Sequence, residues 1–575
     1  MPPASNKKQR LDNTDPSLAN TKKSRRLSPS SHHLQAAFLR SYQSSGANPT
    51  PLPPLPSYLT SIYKHPHNIH PHGNQIFSTA GASNPRASIG AFSKLMDSHF
   101  FDVLTYLTSF ELTKLSSTCY YFVTYVRCDV RLFKDLLVRD FEAFKFHEKG
   151  EYWMHYVKSL GKEVVEAFEG REAGGVFSDV LYRSFLGYQC LPPPVEKEGG
   201  VERRNFKELG YDNFVMEYER KNKPVILTGV KGLPCLERWR NLKYLTENYG
   251  KAKFRCTSVQ STESMQIDFS SYFSYCSGTK EESPMYLFER GFTDYGLGDD
   301  YVEQLRDVMP WFVKGEDKLI DGKVHRPDLF HLLDDLRPDF RWLISGPTSS
   351  GSAFHIDPNA TNAWNLPIRG SKLWIFYPPG VCPPGVRVLG DGEEVVMPVS
   401  IGEWCLCFWD EHRKRFNAGG ADAPLECRVD VGECLFVPHG WWHCVINVEE
   451  EGGGLDNVSL ALTQNYASSS NLSDVLRFLD VNKNQISGCR DRGKNAVDPE
   501  TFGEVFKEKL RGVMEDEEFE EVVGRSARWE CGAWENEKVS VMEIAKKGGE
   551  GVGGGGVVVG GGEGGDGFSF GFGGF

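Results

Sequence analysis

From Phe92 to Phe141 apolar residues recur at three- and four-residue steps. Leu104 and Leu107, Leu112 and Leu115, then Cys119, Phe122 and Val126, and finally Leu132, Phe133 and Leu136 keep this spacing. An α-helix turns once in 3.6 residues, so the pattern predicts a small bundle of short helices over residues 91–145. The texture changes on both sides. Residues 1–90 are rich in Ser, Pro, Asn and His with few regular apolar positions, which predicts a disordered tail. Residues 146–200 read as a helical linker that ends in a proline run at Pro192–Pro194. Residues 201–475 alternate strands and turns. Helical spacing returns at Phe502, Phe506, Leu510 and Val513 within a helical region over 476–546, and residues 547–575 are mostly glycine. The expected class is therefore α+β, with helices on either side of a strand-rich domain.

Composition narrows the functions available. The 575 residues carry a net charge of −12, but residues 1–30 hold seven Lys and Arg against two Asp, leaving the rest at −17. An acidic body of this kind argues against sequence-specific nucleic-acid binding. The basic clusters Lys7–Arg10 and Lys22–Arg26 have the spacing of a two-part nuclear localisation signal, so a nuclear protein is expected, with cytoplasm as the alternative. No two of the fourteen cysteines are spaced C-x-x-C, which leaves no zinc-knuckle or redox motif and predicts reduced, intracellular thiols. With no apolar leader and no apolar run of about 18 residues, neither secretion nor membrane insertion is expected.

The chemistry is concentrated between Trp342 and Leu472. His355-Ile356-Asp357 follows a Gly/Ser-rich stretch, and in a strand residues i and i+2 face one side. An imidazole and a carboxylate would then enter one cavity. Further on, Gly432–Pro438 reads as a turn and a short apolar strand leading to Gly440-Trp441-Trp442-His443. Two histidines and one carboxylate with open positions left over are the ligand set of non-haem iron(II) oxygenases. Val458–Asn465 alternates, with Ser459, Ala461, Thr463 and Asn465 on one face, as expected of a strand lining a cavity. Lys372 opens the otherwise apolar strand Lys372–Phe376. A lysine aimed into a barrel is costly without an anion, and the C5 carboxylate of 2-oxoglutarate would serve. The alternative is a strand-edge lysine in water.

Two resemblances follow. Leu112, Leu115, Ser116, Cys119, Phe122, Leu132, Phe133 and Leu136 match the F-box pattern, although its usual opening Leu-Pro is missing. That likeness implies docking of residues 91–145 onto the adaptor subunit of an SCF-type ubiquitin ligase. The stretches S-G-P-T-S-S-G-S-A-F-H-I-D-P, N-A-W-N, G-S-K-L-W, V-P-H-G-W-W-H and A-L-T-Q-N-Y-A-S resemble a JmjC domain of the phosphatidylserine-receptor-like protein hydroxylase subgroup. Asn222–Leu227 and Ser283–Phe288 are similar to upstream blocks of that family, so the likeness spans residues 201–475.

The JmjC resemblance implies a double-stranded β-helix, the jelly-roll barrel of cupins, with iron(II) and 2-oxoglutarate as cofactor and co-substrate. It implies His355, Asp357 and His443 as metal ligands, and Lys372 and Thr463 on the distal carboxylate of 2-oxoglutarate. Asn365 and Asn465 would stand beside co-substrate and metal, Tyr286 would line the pocket, and Ser352 is the nearest match to a family Ser or Thr. His439 departs from the family's small residue and is expected in a surface turn. The insertion Val381–Asp430 is expected to overhang the cavity mouth. The implied activity is oxygenation of a protein substrate, with hydroxylation of lysine side chains favoured. N-methyl demethylation of a histone or other protein shares the same chemistry. A ligase adaptor that uses the JmjC domain only to bind cargo is the reading without catalysis. A homodimer through the helices after the barrel is a further expectation.

Overall fold

The computed structural model describes residues 65–70, 85–141, 145–147, 151–163, 176–185, 200–257, 264–279, 281–301, 311, 317–388, 395–398, 400–450, 457–489 and 495–528. The basic clusters and the glycine-rich tail lie outside these residues.

The periodic segment forms four short helices, α1 (Asp97–Thr105), α2 (Ser109–Ser116), α3 (Tyr120–Cys128) and α4 (Val130–Asp140), followed by α5 (Tyr152–Ser159). Local chemistry sets their starts. Thr108 and Glu111 form a reciprocal capping box on α2, and the Asp129 carboxylate accepts from the Arg131 and Leu132 amides at the start of α4. Leu104, Leu112, Phe122, Leu132, Phe133 and Leu136 are buried, as their spacing predicts. Part of the expected tail is packed here instead. A 3-10 helix spans Pro85–Lys94, and Ile69 and Ile89 join the buried core, because an apolar side chain within reach of the bundle gains more from burial than the chain loses on ordering.

Two sheets carry the strand-rich region. The larger has nine strands in the order β1-β2-β15-β10-β17-β8-β5-β3-β4, from β1 (Glu202–Asn205), β2 (Val225–Thr228), β3 (Lys253–Thr257), β4 (Ser264–Asp268), β5 (Tyr286–Glu289), β8 (Arg341–Pro347), β10 (Asn362–Arg369), β15 (Cys434–Val437) and β17 (Val458–Tyr466). The smaller has the order β14-β11-β16-β9, from β9 (Gly351–His355), β11 (Ser371–Tyr377), β14 (Leu425–Val429) and β16 (Trp442–Val448). Two short hairpins pair β6 (Lys318–Ile320) with β7 (Lys323–His325) and β12 (Arg387–Val388) with β13 (Val395–Val396). All pairings are antiparallel except β1 with β2. Inward residues of both sheets, including Trp374, Phe376, Leu435, Val437 and Val445, form one core between them. This is the mixed α+β architecture of a cupin-like barrel.

Helices cover the outer faces. The outward side of the nine-stranded sheet packs on α6 (Leu242–Tyr249), α7 (Phe269–Gly278) and the N-terminal bundle in one continuous core. The C-terminal helices α9 (Leu472–Val481), α10 (Pro499–Arg511) and α11 (Asp516–Arg528) form a second cluster around Phe502, Phe506 and Leu510, whereas Val513 is 43% exposed and stands outside it.

The described residues of the insertion Val381–Asp430 do not line the cavity. Its α8 (Ile401–Ala418) lies on the outer face of the four-stranded sheet, where Trp404, Cys405 and Trp409 pack on Phe354, Leu373, Ile375, Tyr377, Trp442 and Ile446. Alternation explains the placement. With Lys372, Trp374 and Phe376 facing inward, Leu373, Ile375 and Tyr377 form an apolar outer face that must be covered. The insertion also supplies β14, whose Val429 pairs with Lys372. No helix among the described residues is long and apolar enough to cross a membrane.

Candidate functional site

The space between the sheets is lined by Tyr286, Phe288, Trp342, Ser352, His355, Asp357, Asn365, Lys372, Trp374, His443, Thr463 and Asn465, among others. Every site residue expected from the sequence therefore reaches one cavity, although the residues come from strands of both sheets.

His355 and His443 are direct cross-strand partners on β9 and β16, with ring centroids 4.1 Å apart. The register needs close backbone approach: a Cβ on Gly351 would stand 1.8 Å from the Val445 carbonyl oxygen. Asp357 lies just beyond β9 with extended backbone, so the alternation continues past the strand's end. Its Oδ1 is 3.9 Å from His443 Nε2. The turn that follows carries two left-handed non-glycine residues, Asn359 (φ 56°) and Ala360 (φ 52°). Contacts from the C-terminal region hold that costly conformation. Asn359 exchanges two 3.0 Å hydrogen bonds with Ser487, and Asn471 Nδ2 donates to the Ala360 carbonyl at 2.9 Å.

Ligand atoms of His355, Asp357 and His443 lie within 4.8 Å of one another. His355 Nδ1 is 2.8 Å from the Ala353 carbonyl and His443 Nδ1 is 3.1 Å from the Trp441 carbonyl. A carbonyl can only accept, so each Nδ1 carries the proton and each Nε2 offers a lone pair. Burial holds both imidazoles neutral, lowering His355 to about 3, with His443 adding to the effect, and His443 to about 4. Burial raises Asp357 to about 6, against the opposing pull of His355 and a hydrogen bond from Asn465. Asp357 Oδ2 and Asn365 Oδ1 are buried without a hydrogen-bond partner. Neutral imidazoles, a carboxylate with a free oxygen and a second bare acceptor are the donor set a divalent cation satisfies, so the residues fit iron(II).

The other end of the cavity is cationic. Lys372 is 2% exposed, and its Nζ donates to Asn447 Oδ1 at 2.7 Å, so it is not a strand-edge lysine. Burial alone lowers its pKa from 10.5 to about 7. The Tyr286 hydroxyl is kept protonated by burial and shares a hydrogen bond with Asn447. Thr463 Oγ1 spends its proton on the Trp364 carbonyl at 2.9 Å and keeps lone pairs for a donor. Asn465 Nδ2 donates to Thr361 Oγ1 at 2.8 Å. Of the expected cavity-facing residues of β17, Thr463 and Asn465 line the space, while Ser459 bonds to the Gly346 carbonyl.

His439 is not in an exposed turn. It is 9% exposed, with ring nitrogens 3.2 Å from Asn362 Oδ1 and 3.0 Å from Asp474 Oδ2, so it ties the turn before β16 to α9. Asn447 escaped the sequence reading. Its one available signal was parity, four residues after His443 on the same strand face, and its partner Lys372 is fixed only by the β11–β16 register.

Comparison with known proteins gives relatives for this site. Residues 212–471 match the family described as a cupin-like domain. The chain is 33% identical over 489 residues to "Arginine-specific demethylase JMJ22" of Arabidopsis thaliana, covering 83% of this chain and 88% of that protein. It is 33% identical to "Bifunctional arginine demethylase and lysyl-hydroxylase psr-1" of Caenorhabditis briggsae over 50% of this chain and 66% of the relative. A shorter match, 30% identical over 141 residues, is to "2-oxoglutarate and iron-dependent oxygenase JMJD4" of Homo sapiens, covering 24% of this chain and 30% of that protein.

Proposed function

The chain belongs to the JmjC-type, cupin-like family of iron- and 2-oxoglutarate-dependent oxygenases, and on that premise we propose that it hydroxylates a carbon on a basic side chain of a protein substrate. The observation that carries this reading is the pairing, in one cavity, of a neutral His₂/carboxylate set with a buried lysine. His355, Asp357 and His443 hold the iron. Lys372 and Thr463 take the distal carboxylate of 2-oxoglutarate, Tyr286 lines that end, and Asn365 and Asn465 stand beside metal and co-substrate. Bound iron supplies dioxygen activation coupled to decarboxylation of 2-oxoglutarate to succinate and carbon dioxide. The protein's own part is to orient the target C–H bond and to exclude water.

Hydroxylation of a lysine side-chain carbon leaves a stable alcohol. The second reading, N-demethylation of methylated arginine, is favoured by the name of a relative that matches 83% of the chain. It uses the same C–H step on an N-methyl carbon, followed by loss of formaldehyde. Purified protein with iron(II), ascorbate and 2-oxoglutarate should form succinate, and Asp357→Ala should abolish it. Mass spectrometry of nuclear peptides then separates gain of an oxygen from loss of a methylene. No turnover and no metal binding would leave only the cargo-binding reading.

The same proposal assigns the protein to the nucleus through Lys7–Arg10 and Lys22–Arg26, which a fluorescent fusion lacking both clusters tests. It also assigns α1 and α2 to adaptor docking, because Tyr106 is 88% and Phe110 65% exposed beside an apolar groove lined by Phe92, Val103, Leu107 and Leu115. Co-purification of an SCF adaptor, lost in Tyr106→Glu/Phe110→Glu, is the expected result. Self-association through α9–α11 is proposed on the same footing, and sedimentation of full-length protein reads it.

A further inference from the structure

The segment that leads into β5 is held from outside the barrel. Lys134, on α4 of the N-terminal bundle, donates from Nζ to Glu281 Oε2 at 2.8 Å and to the Ser283 carbonyl at 2.9 Å. The side chains of Lys134 and Glu281 are 1% and 2% exposed. Glu281 Oε1 accepts from Tyr275 at 2.7 Å on α7 and from the Tyr152 hydroxyl on α5. Tyr275 in turn accepts from the Met285 amide at 2.8 Å, and Tyr272 accepts from the Leu287 amide at 3.0 Å. Backbone groups on both sides of Tyr286 are thereby held by side chains, and those at Ser283 and Met285 are linked through Lys134, Glu281 and Tyr275 to the bundle. Tyr286 has little room of its own: its ring fills the place where a Cβ on Gly346 would stand, 2.4 Å away.

A buried ion pair is an unusual joint between a catalytic barrel and an appended module. Interfaces between domains of one chain resemble transient protein–protein contacts, where relative motion is the default. Once sealed, each charge depends on the other, because a lone buried charge is strongly disfavoured. The pair therefore resists any separation of bundle and barrel, and displacement of α4 is passed to residues 283–287.

We propose that the helical bundle is a working part of the co-substrate pocket, with Lys134 and Glu281 as positioning residues for Tyr286. The inference rests on the reading above, in which Tyr286 lines the 2-oxoglutarate end of the cavity. A partner docked on the bundle would then alter co-substrate affinity, and co-substrate would alter docking by the same factor.

The test uses full-length protein loaded with manganese(II), titrated calorimetrically with 2-oxoglutarate. Lys134→Met/Glu281→Met removes both charges together. It should weaken 2-oxoglutarate binding about tenfold or more, since misplacement by about 1 Å is costly at such sites. Manganese affinity should not change. In a Tyr286→Phe background most of that loss should vanish, because the pair acts through the hydroxyl. Tyr152→Phe removes the hydrogen bond from α5 to Glu281 while leaving both charges paired, and carries the same expectations if the double variant does not fold. An unchanged 2-oxoglutarate affinity, even with a lower Tm, overturns the coupling. So does a loss that persists undiminished beside Tyr286→Phe. If Tyr286→Phe and Lys372→Met themselves leave 2-oxoglutarate binding untouched, the assignment of the pocket fails, and the coupling with it.

Discussion

Lys372 makes co-substrate binding a proton-coupled event. Its ammonium is sealed between the sheets, and burial alone brings its pKa from 10.5 to about 7. That depression corresponds to about 5 kcal/mol of desolvation. For a base with a depressed folded-state value, the penalty is fully present below pH 7. It fades as pH rises from 7 towards 10.5, where the unfolded chain binds the extra proton, so the free protein gains stability across that window. A carboxylate arriving at Lys372 selects the protonated form. Binding should therefore take up about half a proton per site at pH 7 and nearly a full proton at pH 8, with the apparent dissociation constant rising about fivefold between them. Calorimetry of 2-oxoglutarate into manganese-loaded protein from pH 6.5 to 8.5, in two buffers of different ionisation enthalpy, measures both quantities. The loaded metal holds His355, Asp357 and His443 in their ligating states, so they do not titrate in this range. Lys372→Met should weaken binding and remove its buffer dependence. An affinity that stays flat to pH 8.5 with no proton uptake would refute the placement of the distal carboxylate on Lys372.

Other expectations follow from packing. Asp357→Ala should cost most of the metal affinity while the fold survives, because Oδ2 has no hydrogen-bond partner and Asn465, which loses its bond to the carboxylate, keeps the one to Thr361; metal content after dialysis and thermal melting read the two effects separately. Gly346→Ala places a methyl 2.4 Å from both the Tyr286 ring and Ser350 Oγ, so about 1–3 kcal/mol of overpacking and a weaker co-substrate complex are expected by denaturation and calorimetry. Trp404→Ala empties the space between α8 and the four-stranded sheet beside Phe354, 4.8 Å away between ring centroids. Its cost should be about 3–5 kcal/mol, visible in the denaturant midpoint, and an unchanged midpoint would contradict the packing of the insertion.

The sequence by itself determined what local geometry can encode. The 3.6-residue spacing of Leu104, Leu112, Phe122 and Leu136 specified helices, because a helix buries one stripe whatever it packs against. The two-residue alternation put His355 with Asp357, and Thr463 with Asn465, on one side, since a pleated strand leaves no other choice. What lies across a sheet or between layers was decided by the tertiary structure. Lys372 meets Asn447 only through the β11–β16 register. His439 is buried because α9 brings Asp474 to it, and the insertion covers the back of the small sheet rather than the cavity because the apolar outer face is there. Lys134 and Glu281 stand 147 residues apart, and neither carries a local sign of the other. Periodicity reports which side of an element is apolar, whereas the identity of the partner depends on which elements fit together at full packing density, a property of the whole chain.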